Sequence, residues 1–464
     1  PAAKPPGPPV DLVLDGASTN TIVAVATPPG KGAIAIVRAS GSSVPELVRR
    51  LVQTKSRLRR RVATYATIVD ESGALLDRGL AIFFEAPHSY TGEDLLELQI
   101  HGSPVVGREV VRAMLACGAR LAEPGEFTRR AFFNGKMALH AAAAVADIID
   151  AQTRCAARAA LANFESGLAQ EIRAVRSALA TILQELEGAI DFPDEVPEPD
   201  RSGLKVRLAP IRARLERLAR DGELGRLVRE GLGVAIVGPP NAGKSSLLNA
   251  LLGTERAIVS DIPGTTRDTI EESVVVDGVP VRLIDTAGIR SHADRLEAHG
   301  IARSERALDS ATIALVVADG SQPPDAASSR LLERTQDRPR ILFLNKADLG
   351  TDPAFATAWP GAIVGSVRNA ETLERIRDAI ATAGWNGERF DATRPHLAGA
   401  HEFEAAFAAI AALGHACDAL DASEPIDFVA TELAHAFSQL GHVSEQVAAE
   451  EIVTGIFSRF CIGK

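Results

Sequence analysis

Gly238-Pro239-Pro240-Asn241-Ala242-Gly243-Lys244-Ser245 has the spacing G-x-x-x-x-G-K-[ST], the pattern of a loop that wraps a polyphosphate. The apolar run Val234 to Val237 leads into it, and the helix-forming run Ser246-Leu247-Leu248-Asn249-Ala250-Leu251-Leu252 leads out. That order is the context the motif needs, because turn N–H groups and the helix N-terminus then converge on one anion. Gly238 and Gly243 let the backbone curl inward, and Asn241, Ala242 and Ser246 complete the cradle. Lys244 is the charge for the β/γ-phosphates and a catalytic candidate. Ser245 offers its hydroxyl to Mg²⁺.

Three more segments address the base and the metal. In Leu283-Ile284-Asp285-Thr286-Ala287-Gly288 an apolar strand ends at Asp285, an acid for the Mg²⁺ shell, and the Gly288 N–H can approach a γ-phosphate. Ile341 to Asp348 is a second apolar strand ending in N-K-x-D, namely Asn345, Lys346 and Asp348. A carboxylate there accepts both N1–H and the N2 amino group of guanine, and adenine would leave it unpaired, so the set reads as a GTPase rather than an ATPase. Ser366 is the candidate to close the base pocket, although Val367 stands where such GTPases usually carry Ala. Asp261 to Asp268 has the composition of a switch loop, with Thr266 as second Mg²⁺ ligand. No Gln follows Asp285-Thr286-Ala287-Gly288-Ile289. Glu297 is the candidate acid to orient the attacking water, although spacing alone somewhat favours a solvated helix-face carboxylate.

These motifs need a scaffold, and the chain supplies more than one. At 464 residues it exceeds a single core and predicts about three domains. Residues up to about 137 alternate strand-like runs (21–25, 33–37, 80–84, 95–100) with turns, plus a helix over 104–117, which predicts an α+β unit. From about 138 to 190 the texture is Ala-rich helix, broken by Asp191-Phe192-Pro193-Asp194-Glu195-Val196-Pro197. A further helix carries Leu208, Ile211, Leu215 and Leu218 on one face. The α/β nucleotide unit follows over 231–385. Helix then resumes with Phe403, Phe407, Ile410 and Leu413, then Val429, Leu433, Phe437 and Leu440. Neither helical half can bury its apolar face alone. The economical expectation is one all-α domain, discontinuous in sequence (138–230 plus 386–464), with the P-loop GTPase domain inserted.

Net charge is −10 and 46% of residues are hydrophobic, which describes a globular protein and disfavours broad non-specific nucleic-acid binding. Arg57-Leu58-Arg59-Arg60-Arg61 and the arginines of 207–229 are local exceptions, each read first as a solvated face. Cys117, Cys155, Cys417 and Cys461 are far apart and form no C-x-x-C pair, which argues against structural zinc or a disulfide framework and suits a reducing cytoplasm. Residues 1–16 are Pro-rich and are expected to be a disordered leader. No run approaches the ~18 apolar residues of a membrane span.

Beyond the GTPase set, TIVAVATPPGKGAIAIVRASG (21–41), SYTGEDLLELQIHG (89–102), PGEFTRRAFFNGK (124–136), AIDFPDE (189–195) and FCIGK (460–464) resemble the MnmE (TrmE) family of tRNA modification GTPases, from about residue 20 onward. The resemblance implies a 17–137 domain that binds tetrahydrofolate and forms the homodimer, and a GTPase domain of the Ras-like, TrmE-Era type. It also implies a partner, an MnmG-like FAD protein that uses NADH, in a heterotetramer. Together they would modify C5 of the wobble uridine of certain tRNAs with carboxymethylaminomethyl or aminomethyl groups, using a 5,10-methylene- or 5-formyl-tetrahydrofolate derivative as one-carbon source. Neither DNA nor membrane enters that picture.

By motif, Arg38, Glu97, Lys136 and Lys464 fall on folate-contacting positions. Cys461 would lie nearby without an established covalent role. In the nucleotide unit the resemblance implies K⁺ held by Asn241, Ser260, Ile262 and Thr265, with two such units dimerising across the nucleotide, and it makes Glu297 the catalytic acid. Ser260 stands where Thr is common, and Ala138 and Ala143 stand where the family usually carries Asp and Glu. A regulatory GTPase switch, as in ribosome assembly, is the alternative. The folate-position residues and FCIGK count against it, because a switch has no use for them.

Overall fold

The computed structural model describes residues 20–165, 167–253, 271–285, 308, 311–388, 390–444, 455–458 and 460–463. By contact density the chain divides into two compact units, Pro1–Ala146 with Ser444–Lys464, and Asp147–Val443.

In the first unit, β1 (Ile22–Val25), β2 (Ile34–Ser40), β3 (Val52–Gln53), β4 (Thr64–Val69), β5 (Leu75–Phe84), β6 (Leu95–His101) and β7 (Arg120–Leu121) form one sheet of order β3-β4-β5-β6-β2-β1-β7. Only β1–β7 is parallel; the other pairs are antiparallel. Alternation sends Val23, Val37, Ala39, Ala66, Ile68, Ala81, Leu96, Leu98 and Ile100 to one face. There they meet the apolar sides of α1 (Val44–Leu51) and α2 (Pro104–Ala116), the latter within one residue of its expected end. The strands β2 and β6 pair in a register that sets Arg38 opposite Glu97, so both project from the other face. After β7 come α3 (Glu126–Phe133) and α4 (Leu139–Asp150). Phe457 and Phe460 pack with Phe132, Leu139, Ala142 and Ala146, and Ile462 bridges Pro124, which draws residues 460–462 onto α3 and α4.

The second unit holds the split helical domain and the nucleotide domain. The expected Ala-rich stretch is several helices, α4 followed by α5 (Arg154–Phe164) and α6 (Gly167–Asp191). The break before α5 is Thr153, whose hydroxyl accepts the Ala156 N–H as N-cap and donates to the Gly278 carbonyl at 2.9 Å. Helix α7 (Arg201–Glu230) starts at Asp200, whose carboxylate accepts the N–H groups of Ser202 and Gly203.

The nucleotide sheet contains β8 (Leu232–Val237), β9 (Glu271–Val276), β10 (Val279–Asp285), β11 (Ile313–Asp319), β12 (Arg340–Asn345) and β13 (Ile363–Val364), in the order β13-β12-β11-β8-β10-β9. Its described helices are α8 (Lys244–Leu252), α9 (Ala326–Arg334), α10 (Phe355–Ala358) and α11 (Ala370–Trp385). The chain then re-enters helix as α12 (Ala400–Asp421) and α13 (Ile426–Ser444).

Leu208, Leu215 and Leu218 of α7 share one core with Leu179 and Leu186 of α6, Ala409 and Leu413 of α12, and Leu433 and Leu440 of α13. The helical halves on either side of the insertion therefore bury each other's apolar faces. Helix α12 corrects one expectation: it is long and apolar enough to cross a membrane by length and composition. Its Ala405, Ala409, Ala412, Leu413 and Ala416 are nevertheless buried against α6, α7 and α13, which makes it a core helix. Phe407, expected on the buried face, is half exposed and stacks on Phe403 with ring centroids 6.2 Å apart.

Between α11 and α12 lies His396, buried beside Asn163 of α5. Asn163 Oδ1 accepts its backbone N–H at 3.1 Å, and the Asn163 amide meets Nε2 at 3.4 Å. Burial, helped by the nearby Arg229 charge and opposed by the Arg394 carbonyl, pulls the imidazole down to about 4.

Candidate functional sites

The phosphate loop sits where β8 ends and α8 begins. Asn241 and Gly243 take left-handed backbone angles, φ 61° and 97°. At Gly243 a Cβ would stand 2.2 Å from Asn345 Nδ2, so glycine is required for both shape and space. Lys244 is 8% exposed, and its ammonium donates to the carbonyls of Gly238 (2.9 Å) and Pro239 (2.8 Å). A buried charge held by two loop carbonyls is poised to transfer those bonds to phosphate oxygens. Ser245 and Ser246 are exposed in the first turn of α8.

Asn345, at the end of β12, joins this loop to the segment that follows β13. Its Nδ2 donates to the Ala242 carbonyl at 2.9 Å, and its Oδ1 accepts the Val367 N–H at 3.1 Å. The Val367 backbone therefore makes its link whatever the side chain. Asp348 and Ser366 line one open cavity of about 380 Å³, together with Arg368, whose guanidinium lies 3.8 Å from Asp348. Lys346 pairs with Asp319 at 2.7 Å. Burial opposes ionisation of Asp319, but bonds from Lys346 and Ser321 prevail and hold it below its ordinary value. No motif singles out Asp319, which ends β11. Its signal is the acid that ends the apolar run Ile313 to Ala318.

In the first unit, Glu97 Oε1 accepts from Arg38 Nη2 at 2.7 Å and Nε at 3.0 Å, with both side chains 16% exposed. The guanidinium lies 5.6 Å from the Tyr90 ring centroid and 5.7 Å from that of Phe127. Among the described residues no donor reaches Glu97 Oε2, which leaves an acceptor for a ligand. Lys136 is exposed and donates to the Pro87 carbonyl at 2.9 Å.

Beneath lies a network the motifs did not announce. Glu126 is buried, and burial alone would raise its carboxyl. Bonds from Arg120, the Glu123 N–H and Arg130 outweigh that and hold it at about 2. Arg130 also reaches Glu93 at 3.0 Å, and Glu93 accepts from Ser40 at 2.8 Å. Cys461 is exposed between Phe460 and the Ile462 bridge.

Two family descriptions match: GTP-binding protein TrmE N-terminus over residues 21–136, and MnmE helical domain over residues 139–461. The chain belongs to the MnmE (TrmE) family. It is 41% identical over 458 residues to the tRNA modification GTPase MnmE of Akkermansia muciniphila, covering 96% of this chain and 99% of that one. It is 40% identical over 472 residues to the MnmE of Azoarcus sp., covering 100% of both. Among solved structures, the G domain of the T. maritima FeoB iron transporter is 30% identical, covering 33% of this chain and 98% of that one, with a TM-score of 0.26.

Of the residues expected to act in this MnmE-family chain, Asn241, Ala242, Gly243, Lys244, Ser245 and Ser246 cluster at the phosphate loop. Asp348 and Ser366 line the neighbouring cavity, Asn345 ties the loop to Val367, and Lys346 turns to Asp319. Asp285 ends β10, but its side chain lies outside the described residues, as do Ser260, Ile262, Thr265, Thr266, Thr286, Ala287, Gly288, Glu297 and Lys464.

Proposed function

We propose that this chain is a GTP-hydrolysing tRNA modification enzyme. With an MnmG-like FAD protein it adds a carboxymethylaminomethyl or aminomethyl group at C5 of the wobble uridine of certain tRNAs, drawing one carbon from a tetrahydrofolate derivative. The observation that carries this reading is the presence, in one chain, of a preformed phosphate loop and a separate Arg38–Glu97 site on the other unit. A simple switch has no work for the second.

In this reading Lys244 meets the β/γ-oxygens, Asp348 selects guanine, and Ser245 with Thr266 holds Mg²⁺, which neutralises charge on the phosphates. Asn241, with Ser260, Ile262 and Thr265, holds K⁺ where other GTPases use an arginine, and two nucleotide domains meet across it. The left-handed Asn241 in an exposed loop suits that task. Glu297 orients the attacking water. Glu97, with Oε1 taken by Arg38, presents Oε2 to the pterin's amino edge, while Arg38, Lys136 and Lys464 supply donors around the folate. Residues 17–137 form the folate-binding and dimerisation domain, 138–230 with 386–464 the helical domain, and 231–385 the GTPase domain, in a cytoplasmic protein.

Mass spectrometry of wobble nucleosides from cells lacking the protein tests this function. Loss of the modified uridine, restored by the wild-type chain and not by Lys244→Ala, is the expected result. An unchanged nucleoside profile overturns it.

A further inference from the structure

On an acidic chain the β3–β4 connection is a basic exception. Lys55, Arg57, Arg59, Arg60 and Arg61 are all exposed. Arg60 pairs with Glu85, whereas Arg57, Arg59 and Arg61 make no ion pair among the described residues. The loop is not loose. Leu58 packs against the sheet core, and Arg61, at φ 57°, donates its N–H to the Phe83 carbonyl at 2.7 Å. Just beyond, on β4, Tyr65 is 66% exposed, an unusual fate for an aromatic ring on a strand.

Its position gives this patch meaning. Phe83, which anchors Arg61, pairs with Leu96, the chain neighbour of Glu97, and Tyr65 lies opposite Leu80, which lies opposite Gln99. Two strand spacings, about 10 Å, therefore separate the Arg60–Arg61 backbone from that of Glu97 on β6. Tyr65 and Glu97 project from the same face of the sheet.

We propose that the 55–61 loop and Tyr65 form the surface on which this unit takes a single-stranded RNA loop. Arg57, Arg59 and Arg61 neutralise consecutive phosphates, and Tyr65 stacks an unpaired base beside the folate site. Unpaired arginines on a fixed loop fit a phosphate backbone, and an exposed ring beside them fits a splayed base. A base held there lies within one loop's reach of Glu97. The proposal rests on the tRNA function above and gives it a docking surface.

The test uses the full-length chain and an unmodified tRNA transcript, with affinity measured as salt is varied. Combined Arg57→Ala, Arg59→Ala and Arg61→Ala should weaken binding about ten- to a hundredfold at moderate salt. It should also flatten the salt slope by about 2, since each phosphate contact on single strands contributes about 0.7. The corresponding triple Lys variant should keep the slope. Tyr65→Ala should weaken binding roughly fivefold or more at unchanged slope, and Tyr65→Phe should not. An unchanged far-ultraviolet circular dichroism spectrum and urea midpoint of the first unit report that each variant is folded.

A triple Ala variant with wild-type affinity and slope overturns the proposal. So does one that sediments as a monomer where the wild type is a dimer, because the surface then belongs to a second copy of this chain. A wild-type protein that binds no transcript also overturns it, while the nucleoside profile of deletion cells judges the function separately.

Discussion

Asn241 and Lys244 share one loop but face different duties. Lys244 is nearly buried, with its charge already satisfied by two carbonyls, whereas Asn241 is exposed in a left-handed turn. Asn241→Ala should therefore abolish K⁺ stimulation of GTP hydrolysis while GTP affinity changes little; equal wild-type rates in Na⁺ and K⁺ would remove the potassium assignment. Arg38 is different again, because it holds a carboxylate in a half-dry site. Arg38→Ala should weaken 5-formyl-tetrahydrofolate binding by about ten- to a hundredfold, the worth of a charge-assisted bond. Titration calorimetry giving wild-type affinity would count against the site. Motif spacing made Lys244 legible, whereas Asn241 as a potassium ligand and Arg38 as a folate contact came only from the family resemblance. That Arg38 grips Glu97 was not legible, because positions 38 and 97 meet only through the β2–β6 register.

At the scale of elements, the β9–β10 hairpin is the instructive case. Its turn, Asp277-Gly278, has φ 50° and 85°, and it touches α5 through Thr153. At Gly278 a Cβ would stand 2.9 Å from the Cys155 Cβ, so the two elements meet almost backbone to side chain. One hydroxyl thus caps a helix of the helical domain and clasps a turn of the nucleotide domain. Thr153→Val keeps the shape and removes both bonds. It should lower the stability of the second unit by about 1–2 kcal/mol in urea unfolding. A loss confined to a few tenths would mean that water replaces the clasp. An Ala-rich sequence does not disclose such a break, because helix propensity runs on through 151–153 until a distant carbonyl rewards the cap.

At the scale of the molecule, the two units should answer acid differently. His396 belongs to the second unit, with a folded value near 4 against an ordinary 6.5. Its contribution is whole above about pH 6.5 and drains as pH falls through 4, a cost of roughly 3 kcal/mol. Glu126 belongs to the first unit, held at about 2 against 4.5, so its contribution is whole above pH 4.5 and drains toward pH 2. Between pH 6.5 and 4.5 the second unit should weaken while the first holds. The chain separates the signals, since both tryptophans, Trp359 and Trp385, lie in the second unit and both tyrosines, Tyr65 and Tyr90, in the first. Urea titrations at pH 7 and pH 5 should move the tryptophan midpoint down and leave the tyrosine midpoint in place. His396→Phe should remove most of the tryptophan shift, and equal shifts of both midpoints would contradict the assignment.

The sequence by itself determined the phosphate loop, the N-K-x-D motif and the class of each domain, and by the resemblance of its other segments the family. The first three rest on local spacing or periodicity: a turn needs its glycines, and a helix face needs its repeat. The split helical domain was also legible, because two half-buried helical sets require each other. Only the tertiary structure decided that Glu97 is held by Arg38, that Glu126 is anchored by two arginines, that His396 is buried, and that α12 is a core helix rather than a span. It also decided that the basic loop comes, at Arg60 and Arg61, within two strand spacings, about 10 Å, of the Glu97 backbone. Those facts depend on which distant segments share a strand register or a core, and register is set by the fold as a whole, not by any one segment.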